Sequence, residues 1–173
     1  MAYAISLHSE CEMQVSPKDH LGKRGESIAF VRLTEVCQTN DLPFFLPFFL
    51  GEKTPLFDAL VQLVEAGDVT PIFFAQVKST REGYNESGRL KVHVRKEDVE
   101  AMVKYPAPTY VIGIDEREEK AFIVSVFGTM DKTISSLSTA HPLNCTTLQI
   151  LWDEVKDYWA GKQMDRRASV FTN

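Results

Sequence analysis

The chain has little of what most recognisable chemistries need. Its 173 residues hold three cysteines and four histidines. Cys11, Cys37 and Cys145 are scattered and odd in number, which predicts reduced thiols in a cytoplasmic protein. The histidines show no paired metal spacing, and His8 with Cys11 falls short of a four-ligand zinc site. No stretch approaches the roughly 20 apolar residues of a membrane-spanning helix. The most apolar run, 42–50, is broken by Pro43 and Pro47. Residues 1–5 carry no basic region followed by an apolar run, so no leader is expected. A glycine-rich phosphate loop, a Gly-x-Ser-x-Gly elbow and a Cys/His dyad in recognisable context are all missing. Positive charge is short as well: the net charge is −5.

What is present describes a core-forming chain. With 44% hydrophobic and 25% charged residues, one domain over 1–173 is expected, without repeats or low-complexity segments. An irregular arm covers 1–17 and a polar tail 162–173. The organising stretch runs from Phe57-Asp58-Ala59 to Gln76-Val77-Lys78-Ser79-Thr80. It reads as strands over 56–64 and 72–78, joined by a turn at Ala66-Gly67-Asp68. Period-two alternation puts Gln76 and Lys78 on one face with Ile72 and Phe74. An amide and an ammonium ending so apolar a strand do not serve packing. If the strands pair as a hairpin, Asp58 at the start of one lies beside Gln76 and Lys78 at the end of the other.

A first helix is expected from Lys18 or Gly22 to Cys37, with Ala29, Phe30, Leu33, Val36 and Cys37 as its apolar stripe. At about 100° per residue, Glu26 falls within that stripe, about 40° from Phe30 and 20° from Leu33. Glu35 falls opposite, where a solvated glutamate belongs. A carboxylate aimed at a core needs a partner, and Asp58 with Lys78 offers Glu26 a destination. The alternative is a helix-start glutamate favoured by the macrodipole. Pro47 marks an edge strand or a broken one. Residues 81–88 read as a polar loop and 89–95 as an exposed, strictly alternating strand or ribbon. A short helix follows over 97–104, with Val99, Met102 and Val103 inward, stopped by Pro106 and Pro108. Strands are expected at 109–115 and 120–127. A last helix over 147–160 buries Leu148, Leu151, Trp152, Val155 and Trp159 and ends at Gly161. Helix, three strands, helix, two strands, helix gives a mixed sheet with helices packed on it.

The spacing of Asp58 with Gln76-x-Lys78, and Gly25-Glu26 on the preceding helix, resembles the PD-(D/E)XK nuclease superfamily. The helical glutamate is similar to that of archaeal Holliday-junction resolvases and Mrr-type restriction enzymes. Gly51-x-x-x-Pro55-x-x-Asp58-Ala59-Leu60-Val61 with Gln76-Val77-Lys78-Ser79-Thr80 looks more closely like a bacterial family of unknown function within that superfamily, often found in phage-defence contexts. The resemblance covers about 22–127, and it departs from the commonest pattern in having Gln76 where many members carry glutamate. It implies a restriction-endonuclease-like α/β fold, a mixed β-sheet flanked by helices. It also implies a Mg²⁺- or Mn²⁺-dependent DNA endonuclease, cytoplasmic and serving defence or restriction.

The chemistry follows from the residue types. Phosphodiester hydrolysis needs an activated water, a neutralised phosphate and a stabilised leaving group, all within the reach of a divalent metal. Asp58 is the expected principal ligand, with the Gln76 side-chain oxygen, the Val77 carbonyl and Glu26 completing the set. Lys78 would orient or activate the attacking water. Gln76 in place of glutamate removes one negative charge, so weak metal binding is expected. Arg81, Arg89, Lys91 and Arg95, with Ser79 and Thr80, are the candidate nucleic-acid contacts despite the acidic whole. Ser79 and Thr80 are as well explained as a strand end, and His93 as an ordinary exposed histidine. A homodimer or a subunit of a larger defence complex is expected, with no membrane. A nuclease-fold module that binds nucleic acid or a protein without cutting is the competing expectation.

Overall fold

The computed structural model describes residues 16–37, 41–51, 54–67, 70–126 and 133–161. Most of the expected arm, the tail 162–173, Phe127 and the turn residue Asp68 lie outside these residues. Five strands form one sheet in chain order: β1 (Phe45–Phe49), β2 (Ala59–Leu63), β3 (Ile72–Thr80), β4 (Thr109–Asp115) and β5 (Lys120–Ser125). Every neighbouring pair is antiparallel except β3 and β4, which run parallel. A parallel pair cannot be closed by a tight turn and needs a crossover. Here the crossover holds the 81–88 loop, the 89–95 ribbon and helix α2 (Lys96–Val103). With α1 (Pro17–Leu33) before the sheet and α3 (Cys145–Ala160) after it, this is the α/β fold with a mixed, helix-flanked sheet that the sequence predicts.

The strands sort their side chains to two cores. Ala59, Val61, Leu63, Phe73, Ala75, Ile112 and Ile114 meet Ala29 and Leu33 of α1 and Leu148, Leu151 and Val155 of α3. On the other side Val111 and Phe122 meet Val99 and Met102 of α2 and Leu90, Val92 and Val94 of the ribbon. The ribbon alternates as expected, Leu90, Val92 and Val94 buried and Arg89, Lys91, His93 and Arg95 exposed. It does not enter the sheet; isolated bridges tie Leu90 to Leu137 and Val94 to Ile134. Trp152 and Trp159 anchor α3 with their polar ends, donating to the Val64 carbonyl at 3.0 Å and the Ile72 carbonyl at 2.7 Å. A half-buried indole places apolar area on the core while satisfying its own N–H.

Three expectations need correction. Helix α1 stops at Leu33, where Thr34 caps it by returning both its N–H and its hydroxyl to the Phe30 carbonyl. Val36 and Cys37 therefore lie beyond the helix. The buried seam of α1 is Gly25, Ala29 and Leu33, whereas Phe30 is 42% and Val36 53% exposed. Small residues at i and i+4 let the helix axis come close to the sheet, so larger neighbours are left at its flanks. The cysteines are not all reduced: Cys37 and Cys145 form a disulfide across a sequence separation of 108. Because α1 and α3 share one face of the sheet, the end of the first meets the start of the second. By chain-entropy reckoning, closing a loop of this length stabilises by roughly 4 to 5 kcal/mol.

Candidate functional site

Asp58 stands immediately before β2, at the point where the β2–β3 ladder ends. Its backbone is still paired, donating to the Ala75 carbonyl at 3.0 Å and accepting from the Leu50 N–H at 2.9 Å. The side chain then continues the ladder by itself: Oδ2 accepts the Val77 N–H at 2.6 Å. That hydrogen bond serves an N–H left over by the strand end, and it fixes the carboxylate against β3. Burial pushes the Asp58 carboxyl up, against smaller opposing effects of the Val77 N–H and the Lys78 ammonium. Lys78 is thus near enough for its ammonium to act on the Asp58 carboxyl.

Gln76 is 3% exposed. Its Nε2 donates to the Leu56 carbonyl at 3.2 Å, which settles which way the amide faces. Oε1 is consequently a buried acceptor with no donor. Buried polar atoms almost always have a partner, so this orphaned oxygen suits a cation or a bound water. Asp58 and Gln76 Oε1 therefore fit a hard divalent metal in donor chemistry. With a single carboxylate in that pair, the set is poor in charge.

Glu26 is half-buried on α1. Its neighbour Gly25 packs on Ser79 of β3, and Phe30, one turn on, meets the Phe49 ring at 6.4 Å. Phe49 pairs with Ala59, next to Asp58. The opposite flank of α1 reaches the β4–β5 hairpin through Arg24, which pairs with Glu119 at 2.6 Å. α1 packs on the face of the sheet that carries Phe73 and Ala75, whereas Phe74, of the same parity as Gln76 and Lys78, faces the other core.

Beyond Lys78 opens a cleft of about 400 Å³, lined by Ser79, Thr80, Glu82, Lys91, Val92, His93 and Ser135 as well. The candidate nucleic-acid contacts divide around it. Lys91 opens into the cleft with no ion pair among the described residues. Arg81 is engaged by Glu116 at 2.6 and 3.0 Å, and Arg24 binds the same carboxylate at 2.8 Å. The Arg81 hydrogen bond, foremost, holds the Glu116 carboxyl below its usual range. Arg89 donates to the Ser136 hydroxyl and carbonyl at 3.0 and 2.9 Å, and Arg95 forks onto Asp98 at 3.1 and 3.0 Å. The Thr80 hydroxyl accepts from the Glu82 N–H at 3.0 Å, closing the strand. The Ser79 hydroxyl is buried without a partner, against Gly25. His93, expected as an ordinary exposed histidine, joins the cleft wall. Ser135 joins it too, from a segment whose sequence carries no signal for that place.

No family model matches the chain, and no curated protein or solved structure matches it either.

Proposed function

We propose that the chain is a metal-dependent nuclease that hydrolyses phosphodiester bonds of DNA, acting in restriction or anti-phage defence. The observation that carries this reading is the orphaned Gln76 Oε1, buried on β3 next in sequence to Val77, whose N–H holds the Asp58 carboxylate. Asp58 and Gln76 would hold Mg²⁺ or Mn²⁺, with the Val77 carbonyl and Glu26 as further ligands. The metal, when bound, would supply an acidified water and charge neutralisation at the phosphate. Lys78 would set its ammonium against a phosphate oxygen or the attacking water, where charge develops. Lys91 would hold a neighbouring phosphate in the cleft. A domain of this size acquires two-strand cleavage by pairing, so a homodimer or a larger defence complex is the working assembly.

A second reading rests on one observation: Asp58 already uses an oxygen on the Val77 N–H, and Gln76 adds no charge beside it. That arrangement suits a nuclease-fold module that binds nucleic acid or a protein without cutting. Plasmid and linear DNA incubated with Mg²⁺ or Mn²⁺ separates the readings. Cleavage by the wild type that is lost in Asp58→Ala and Lys78→Ala establishes the enzyme and its site. Cleavage that survives both substitutions places the chemistry elsewhere. No cleavage shifts the weight to the binding module or to an enzyme that waits for a partner, and absence of Mn²⁺ binding in calorimetry favours the binding module.

A further inference from the structure

Outside the lining of the cleft, a different donor set comes together. Cys37 follows the cap of α1 by three residues, and Cys145 is the first residue of α3. Glu35 joins them: one carboxylate oxygen and the two sulfurs all lie within 4.8 Å of one another. It is the one group of three or more His, Cys, Asp or Glu side chains so placed among the described residues. Cys145 is exposed, and Cys37 and Glu35 are half-buried, so a reductant has access from one side. The sequence reading put Glu35 on a solvated helix face. Instead the helix has already ended, and the chain turns Glu35 towards the sulfurs.

We propose that Glu35, Cys37 and Cys145 form a redox-gated site for a thiophilic divalent cation, zinc above all. In the disulfide the sulfurs are bonded to each other and bear no charge for a metal. A trialkylphosphine reductant with water converts the disulfide to two thiols and itself to the phosphine oxide, a balanced two-electron step. Loss of both thiol protons on binding leaves two thiolates and one carboxylate, three protein ligands of a tetrahedral set with the fourth position for water. Zn–S bonds of about 2.3 Å need the sulfurs only about 3.8 Å apart, a separation the exposed Cys145 can open to by a side-chain rotation. The start of α3 favours negative charge on that residue, its first turn holding no acidic side chain to compete. Sulfur donors also separate this site from Asp58 and Gln76, whose oxygens suit a hard ion. The consequence is structural: α1 and α3 stay tied when the disulfide is reduced, by metal in place of the S–S bond.

Cobalt(II) titration of the full chain tests this. The phosphine-reduced protein is expected to take up one equivalent with a thiolate-to-cobalt charge-transfer band in the near ultraviolet, and zinc should displace it. The oxidised protein should show no band. Cys37→Ser and Cys145→Ser should each abolish it, Cys11→Ser should leave it unchanged, and Glu35→Gln should weaken binding about tenfold. Zinc should also return the reduced protein's melting temperature towards that of the oxidised form. A reduced wild type without the band overturns the proposal, as does a band that survives Cys145→Ser. Unaltered affinity in Glu35→Gln overturns the three-ligand set. If a serine variant fails to fold, the oxidised-to-reduced comparison and Glu35→Gln still decide.

Discussion

At the scale of single residues, Asp58 is held where its charge is disfavoured. Burial outweighs both the Val77 N–H and the Lys78 ammonium, so its folded-state pKa lies above the ordinary 3.8. Between those two values the native state binds more protons than the unfolded chain, so stability falls as pH rises through that window. Asp58→Asn keeps an oxygen for the Val77 N–H and removes the buried charge. It is therefore expected to melt at or above the wild-type temperature at pH 7, with the advantage shrinking as pH falls towards 3.8. Cleavage should fall about 100-fold or more in the same variant. Thermal melts across pH beside an activity assay check both; a melting point well below wild type at pH 7 refutes the account. Gln76→Glu makes the complementary case. It removes the donor to Leu56 and adds a second buried carboxylate, so metal-free stability should drop while Mn²⁺ affinity in calorimetry rises about tenfold. These residues were legible in the sequence because polar groups interrupt apolar strands at period two. The partners of Arg81 and Arg89 were not, since Glu116 and Ser136 lie 35 and 47 residues away.

Helix α1 shows at the scale of an element why a hydrophobic stripe misleads. The residues that touch the sheet include a glycine and an alanine, which hydropathy patterns barely register, while Phe30 lies on the flank. Two glycines in this helix separate propensity from packing. A Cβ on Gly22 meets nothing within 4 Å, so Gly22→Ala should stabilise by about 0.5 to 1 kcal/mol through helix propensity and unfolded-state entropy. A Cβ on Gly25 would overlap the Ser79 hydroxyl and come within 2.8 Å of the Ser79 Cβ. Gly25→Ala should therefore destabilise by about 1 to 3 kcal/mol despite the same propensity gain. Urea denaturation of the two variants measures both; equal signs would show that α1 does not press on β3 here. Because Glu26 follows Gly25, displacement of the helix should also lower cleavage more than it lowers stability. The end of α1 was misjudged for a related reason. Thr34 satisfies the last turn with its hydroxyl, a cap that apolar periodicity runs straight past.

The order of elements in the whole molecule was readable from the chain, because every strand pair but the parallel β3–β4 is local and the later helices carry their own periodicity. What joins the ends was not: Cys37 and Cys145 meet only because α1 and α3 pack on one face. Charge is the other whole-molecule property that the fold reorganises. The net charge is −5, and of the candidate contacts Arg81, Arg89 and Arg95 are occupied within the chain. Lys78 and Lys91 remain for phosphates in the cleft. Each neutralised phosphate releases condensed counterions and contributes a slope of roughly −0.9 to log K against log salt. Two lysines thus give an expected slope of about −2 for DNA binding, and Lys91→Ala should bring it to about −1. Arg81→Ala should leave the slope unchanged, since its guanidinium is committed to Glu116. Fluorescence anisotropy with a labelled duplex over a salt series measures all three. A wild-type slope of about −4 or steeper would mean that the arginines leave their partners on binding, and Glu116→Gln should then steepen it further. A slope near zero would show that the cleft does not hold a nucleic-acid backbone at all.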